Sequence, residues 1–307
     1  MKKNIYFAMA IAAMLFTACS QDDELTTVEK NQEYTIIAEM PQPITTRTIA
    51  TDVSDDSGYA MSFAWKDEDQ VRFHFIKSGD AWQSGTRNST ITDGKATFTL
   101  GSNPAASSYI YGCTNVNLNT SKTSDASTAS TANFYLNCQN YIFASMEDIA
   151  KYNPMFGVIP VQSSATSIPE TMHFKNVCSL IKFTVKGVET VTDVKIRGYK
   201  NNAARGLKIK QNLQITGSTG AAEFLSEDYD NSNTNKDGSY EVTGKSYSKN
   251  DKNEIVFYAI VIPQELDGLY LQLNNSADLT KSVAYGSNKI TLEPGKMYGV
   301  KLDFTNQ

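Results

Sequence analysis

The sequence predicts an all-β protein, with two β-sandwich domains in tandem behind an N-terminal targeting segment. Three observations point there. Short runs that alternate apolar and polar residues recur along the chain, clusters of Asn, Asp, Ser and Gly separate them, and long helical periodicity is nearly absent. The 307 residues suffice for one large or two ordinary domains, and the number of strand-like runs favours two. Net charge is −5, with 20% charged residues and no basic cluster, so neither nucleic acid nor an anionic membrane surface is an expected partner.

At the N-terminus, Lys2 and Lys3 precede a mostly apolar run from Ile5 to Phe16. That run is too short to span a bilayer and has the length of a signal-peptide core. Thr17 and Ala18, directly before Cys19, resemble a bacterial lipobox with Phe16 in place of the usual leucine. In such a motif the cysteine thiol is acylated and the mature chain begins at that residue. Residues 1–18 are thus expected to be a lipoprotein signal peptide, and 19–30 an acidic tether. The competing reading is an ordinary secretory peptide cut nearby, with Cys19 a bystander. A lone acyl chain anchors weakly, so the several chains carried by bacterial lipoproteins would hold the protein to the outer membrane. Asp22, Asp23 and Glu24 form either a solvated tether or a segment that resembles the acidic export signal of some surface lipoproteins of Bacteroidales-type bacteria; surface display is the favoured reading.

The first domain is expected over 31–170. Its first strand is EYTIIAEM, where Tyr34, Ile36, Ala38 and Met40 make one apolar face, and Pro41 and Pro43 end it. YAMSFAW and QVRFHFI then read as a hairpin across the polar turn KDED. Val71, Phe73 and Phe75 point one way, and Arg72 and His74 point towards solvent. KATFTL, SSYIYGC and NFYLN follow as strands, with a polar interval from Asn115 to Asn133. VIPVQSSATSIPETM, with two prolines and a small polar cluster, reads as the linker. The second domain, 171–307, takes its strands from SLIKFTVKG, VTDVKIRGY, LKIKQNLQIT, EIVFYAIVI, LYLQLNN, SVAYG and KMYGVKLDF. A hydrophilic, mobile loop is expected from Ser226 to Glu254. The closing strand turns Tyr298, Val300, Leu302 and Phe304 to one side, and Met297, Gly299, Lys301 and Asp303 to the other.

Catalysis should leave a trace in spacing or residue choice, and the chain carries no nucleophile elbow, Gly-rich phosphate loop or zinc-helix motif. No catalytic residue, metal site or cofactor is therefore expected. His74 and His173 read as a surface and a linker histidine. DYDNSNTNKDGS, from Asp228, fails as a calcium loop because Asn233 replaces the turn glycine and Ser239 the bidentate glutamate. Besides Cys19 the chain has Cys113, Cys138 and Cys178. Cys178, amid apolar strand residues, reads as a buried free thiol, and a Cys113–Cys138 bridge is the alternative pairing weighed for the others. Trp65 reads as a core residue. Trp82, beside Asp80 and Gln83, reads equally as core or as a glycan-stacking contact.

Several of these pieces together resemble the fimbrillin-like family of Bacteroidales type V fimbrial subunits and related surface lipoproteins. They are the lipobox at Cys19, the first strand followed by TTRT at Thr45 to Thr48, SFAWKDEDQV, FKNVCSLIKFTV and the closing LEPGKMYGVKLDF. The resemblance spans nearly all of the mature chain through loose motifs. It implies two transthyretin-like sandwiches, export as a lipoprotein, and proteolysis after an arginine following the first strand, for which Arg47, before Thr48, is the match. It further implies that the first strand, with Tyr34, Ile36, Ala38 and Met40, is exchanged for a strand of another fimbrial subunit. The alternative for Arg47 is a surface arginine in an unprocessed loop. Physical magnitudes agree with exchange: burying Tyr34, Ile36 and Met40 is worth about 5–9 kcal/mol, against a whole-domain stability of about 5–15 kcal/mol. Only Thr305, Asn306 and Gln307 follow the closing strand. Either the segments around SVAYGSNKITL and KMYGVKLDF donate, or the subunit accepts without donating, as a tip or accessory component would. The rival function is a non-polymerising surface lipoprotein that binds glycans of a host or bacterial surface through Trp82.

Overall fold

A computed structural model describes residues 34–41, 45–51, 63–77, 81–93, 95–101, 104, 108–118, 131–161, 170–200, 203–224, 237–243, 245–285 and 289–305. The alternating runs form strands. The first half supplies β1 (Tyr34–Glu39), β2 (Thr45–Thr51), β3 (Gln70–Lys77), β4 (Ala81–Asn88), β5 (Thr90–Thr92), β6 (Lys95–Leu100), β7 (Tyr109–Thr114), β8 (Asn117–Leu118), β9 (Thr131–Asn137), β10 (Ile142–Phe143), helix α1 (Met146–Tyr152), β11 (Met155–Pro160), β12 (Glu170–His173) and β13 (Lys175–Asn176). The second half supplies β14 (Ser179–Lys186), β15 (Val194–Lys200), β16 (Ala203–Arg205), β17 (Leu207–Lys208), β18 (Lys210–Thr216), β19 (Ala221–Phe224), β20 (Asp237–Gly238), β21 (Tyr240–Val242), β22 (Ile255–Val261), β23 (Glu265–Leu266), β24 (Gly268–Leu273), β25 (Thr280–Ala284), β26 (Ile290–Thr291) and β27 (Lys296–Asp303). Helix α1 begins where Ser145 caps the Asp148 N–H, and it buries Ile149. Its seven residues span about two turns, too few to leave a periodic signal.

The fold is an all-β sandwich architecture. Sheet β12–β1–β6–β5 faces sheet β13–β11–β7–β3–β4 across a core containing Ile36, Phe73, Phe98, Met172 and Phe174. A third sheet, β19–β18–β9–β8, covers the back of the second, and a five-stranded sheet, β10–β22–β14–β27–β2, shares a further core with β16–β15–β24–β25. That core runs without a break from Tyr111 and Phe134 to Phe183, Phe257 and Tyr298. Residue 170, the expected domain boundary, begins β12, which pairs in parallel with β1. Strands from before that point also join partners beyond it: β2 with β27, β9 with β18, and β10 with β22.

Several expectations are corrected. The partner of QVRFHFI is β4, in full register from Gln70↔Asn88 to Lys77↔Ala81, rather than YAMSFAW. Of the latter, 63–65 lie outside any strand and 59–62 outside the described residues. Here Trp65 turns into the core, edge-on to Phe98 and Phe174, where KDED makes a tight polar turn in which Asp69 accepts from the Lys66 N–H. The expected linker holds parts of two strands, β11 and β12, while 162–169 lie outside the described residues. His173 is therefore a strand residue, and its Nδ1 lies 2.9 Å from Glu39 Oε2 on the surface. Within the expected mobile loop, 237–243 and 245–254 are ordered around the buried Tyr240 and Tyr247. Tyr240 donates to the Lys208 carbonyl at 2.8 Å and accepts from the Ile262 N–H.

His74 is 1% exposed, not solvent-facing. Alternation along β3 does separate two faces, but β9 covers the second, so Phe134 packs edge-on against the imidazole. His74 Nδ1 shares a 2.6 Å hydrogen bond with Ser84 Oγ across the β3–β4 hairpin. Burial, with the Arg72 charge in support, lowers its pKa from 6.5 to about 4.

The first sandwich is drawn tight at one point. Gly112 and Gly157 lie opposite each other across β7 and β11. A Cβ on Gly112 would sit 2.6 Å from Met172 Sδ, and one on Gly157 2.5 Å from Met172 Cγ. Two adjacent residues without side chains thus make a trough that seats Met172 of β12, and only glycine permits so close an approach.

Two outcomes are expected. Unfolded His74 takes up a proton near pH 6.5 and the folded residue only near 4, so stability falls as pH drops through that window. Urea unfolding should show a loss of about 2–3 kcal/mol between pH 7 and 4.5 that His74→Leu removes. Gly112→Ala should cost about 1–3 kcal/mol through overpacking against Met172, and considerably less in a Met172→Ala background, as a double-mutant cycle would show.

Candidate functional site

The candidate site is the seat of β1. This strand has no free edge within its sheet. On one side it runs antiparallel to β6, from Tyr34↔Leu100 to Ala38↔Ala96, and on the other parallel to β12, from Ile36↔Glu170 to Glu39↔His173. The ladder to the chain beyond β12 continues through Phe174, whose N–H donates to the Glu39 carbonyl at 3.0 Å. Ile36 and Ala38 are 0% and 1% exposed in the core, and Tyr34 and Met40 pack against its rim half-buried. Thr35, Ile37 and Glu39 occupy the outer face. The apolar hold on β1 is therefore concentrated at Ile36, worth about 1.5–3 kcal/mol, and its two backbone ladders add to it.

The segment that carries Arg47 also forms a strand, a feature the sequence reading did not anticipate. β2 lies parallel to β27 as the outermost strand of its sheet, with Arg47 opposite Tyr298, Thr48 opposite Gly299, and a register shift between Thr48 and Ala50. One stretch of chain, 34–51, thus places consecutive strands in two different sheets. β27 itself is firmly positioned. Gly295 turns the chain with φ +70°, its N–H reaching the Cys178 carbonyl at 2.9 Å. The Tyr298 hydroxyl donates to the Thr291 carbonyl and accepts from the Glu293 N–H, both at 2.9 Å, closing the LEPGKMYG turn onto its own strand.

Trp82 is half-buried beside Tyr111, with ring centroids 6.1 Å apart, and its indole Nε1 is buried. Its ring is thus part of the packing around the second sheet. Cys19 lies outside the described residues. Cys113, Cys138 and Cys178 are all buried as free thiols. Cys138 meets Cys178, with Sγ atoms 3.9 Å apart, in place of the Cys113–Cys138 pairing weighed from sequence. Among the described residues, no three His, Cys, Asp or Glu side chains cluster as metal ligands, and no helix is long and apolar enough to cross a membrane. The strongly shifted groups are core residues. Burial raises the Tyr141 and Tyr247 hydroxyls to about 12 and pushes Cys113 and Cys178 upwards, the last with help from its hydrogen bond to Cys138.

No family model and no curated protein matches the chain. Solved structures do. A candidate cell adhesion protein from Bacteroides ovatus is 14% identical with a TM-score of 0.44, covering 87% of this chain and 93% of that one. One from Bacteroides uniformis is 11% identical with a TM-score of 0.42, covering 89% and 93%. A fimbrial protein from Bacteroides ovatus is 10% identical with a TM-score of 0.34, covering 88% of this chain and 51% of that one.

Proposed function

We propose that this chain is a structural or adhesive subunit of a bacterial surface fimbrium, a tip or accessory component assembled by donor-strand exchange, without catalytic activity or cofactor. In this reading Cys19 carries the lipid that takes the chain to the outer membrane, and cleavage falls between Arg47 and Thr48. The partners are other fimbrial subunits and a host or bacterial surface. The observation that carries the reading is the seat of β1, an interior strand with a ladder on each side and Ile36 and Ala38 filling a core.

An interior strand near a chain terminus has an uncommon property. When it leaves, the gap has two unpaired edges and an apolar floor, and a strand of matching alternation can refill it. While β1 is continuous with β2 it is retained by chain connectivity, because any detached strand stays at high local concentration. A cut between Arg47 and Thr48 removes that tether and converts retention into ordinary dissociation. The scissile bond lies in the outermost described strand of its sheet, and the β27 ladder must be released before a protease that binds substrate in extended form can cleave it.

The N-terminal residue of protein taken from cells tests the reading: Thr48 with detergent-resistant oligomers is expected, and Arg47→Ala should leave the longer chain and abolish the oligomers. Recovery of the uncut chain alone, or of a cut chain that stays monomeric, would sink it. Ile36→Ala should cost about 2–5 kcal/mol in the uncut chain. In the cut chain it should speed the loss of β1, followed as displacement by a synthetic peptide spanning 33–41, whereas Thr35→Ala should do neither.

A further inference from the structure

We propose that Cys138 and Cys178 form a disulfide in the oxidised protein and that Cys113 remains a free thiol. The two sulfurs are 3.9 Å apart, in van der Waals contact, and both side chains are buried. Each cysteine is held by its backbone. The Cys138 N–H donates to the Ile209 carbonyl, and the Cys178 carbonyl accepts from the Gly295 N–H, both at 2.9 Å. Cys138 directly follows β9, and Cys178 directly precedes β14. A disulfide needs the sulfurs at about 2 Å, so the pair has about 2 Å still to close. Cys113 lies in β7, opposite Phe156 and Arg72.

The chemistry is a dithiol–disulfide exchange. One thiolate attacks the disulfide of an external oxidant, either a small-molecule disulfide or a thiol oxidoreductase, and a mixed disulfide forms. The second thiolate then displaces the oxidant's sulfur. The two cysteines give up two protons and two electrons, and the oxidant leaves as two thiols. In the finished fold, burial shields both sulfurs and raises the Cys178 pKa, so little thiolate is offered to a reagent outside. The exchange therefore belongs to folding, before β9 and β14 close over the pair. The bond then ties the third sheet to the five-stranded sheet across a 40-residue separation.

The oxidant is supplied by an export compartment, so occurrence in cells rests on the proposed export, whereas the pairing itself rests on geometry. The full chain carrying Cys19→Ser, made reduced and refolded in a mixture of oxidised and reduced glutathione, separates the two. Alkylation under denaturing conditions followed by peptide mass spectrometry should find one free thiol, Cys113, and a linked Cys138–Cys178 peptide. Reductant should lower the Tm by roughly 5–15 °C. Cys138→Ala and Cys178→Ala should each remove that reductant effect, and Cys113→Ala should retain it. Three free thiols, or a bridge that includes Cys113, would overturn the proposal. A bridge that forms in glutathione but is missing from cell-derived protein would support the pairing and count against export. If refolding fails, the same thiol assignment on protein exported by its own leader decides the question.

Discussion

Ile36 and Ala38 fill the core between Phe98 of β6 and Met172 of β12, and the arrangement around them depends on that filling. The backbone of β1 bridges β6 and β12, which do not otherwise touch in the sheet order. Without it the outer sheet would be two separate pieces, each with an unpaired edge, over an apolar floor of Phe73, Ile110 and Met155 from the facing sheet. β12 has a hold of its own, since Met172 is seated in the trough of Gly112 and Gly157. β6 is held in turn by its buried Ala96, Phe98 and Leu100.

The second sheet separates two cores. Its front carries the first core, while its back, lined by His74, Tyr111 and Phe156, is covered by β9 and its neighbours. A sheet buried on both faces cannot be read by simple alternation, because the polar positions of a strand then mark the second interior instead of solvent. His74 is tolerated there because Ser84 satisfies one ring nitrogen and the imidazole stays neutral at physiological pH.

Local patterns were legible in the sequence, and distant partners were not. β1, β6, β14, β22 and β27 could be read directly, since each turns an apolar face to a core and is bounded by turn residues. Along the closing strand Tyr298, Val300, Leu302 and Phe304 are buried as alternation requires, while Met297, read onto the other face, is buried as well. His74 was misread because its cover, Phe134, lies sixty residues later in the chain. β2 has almost no apolar content, and its strand character comes from backbone pairing with β27. In the linker reading, prolines outweighed the alternation of Met172 and Phe174 with Thr171 and His173, which did mark a strand. The approach of Cys138 to Cys178 depends on the placement of β9 against β14, which no spacing encodes.

The parallel pairing of β2 with β27 sets a temporal order on the molecule's formation. Thr45 stands beside Lys296, so a strand made near the beginning of synthesis finds its partner only when the far end of the chain has been produced. Contacts between such remote residues are the slowest to form, because the entropy of closing so long a loop must be met before the ladder gives any return. The early strand therefore waits, unpaired, throughout translation, and its ladder is among the last parts of the fold to be completed.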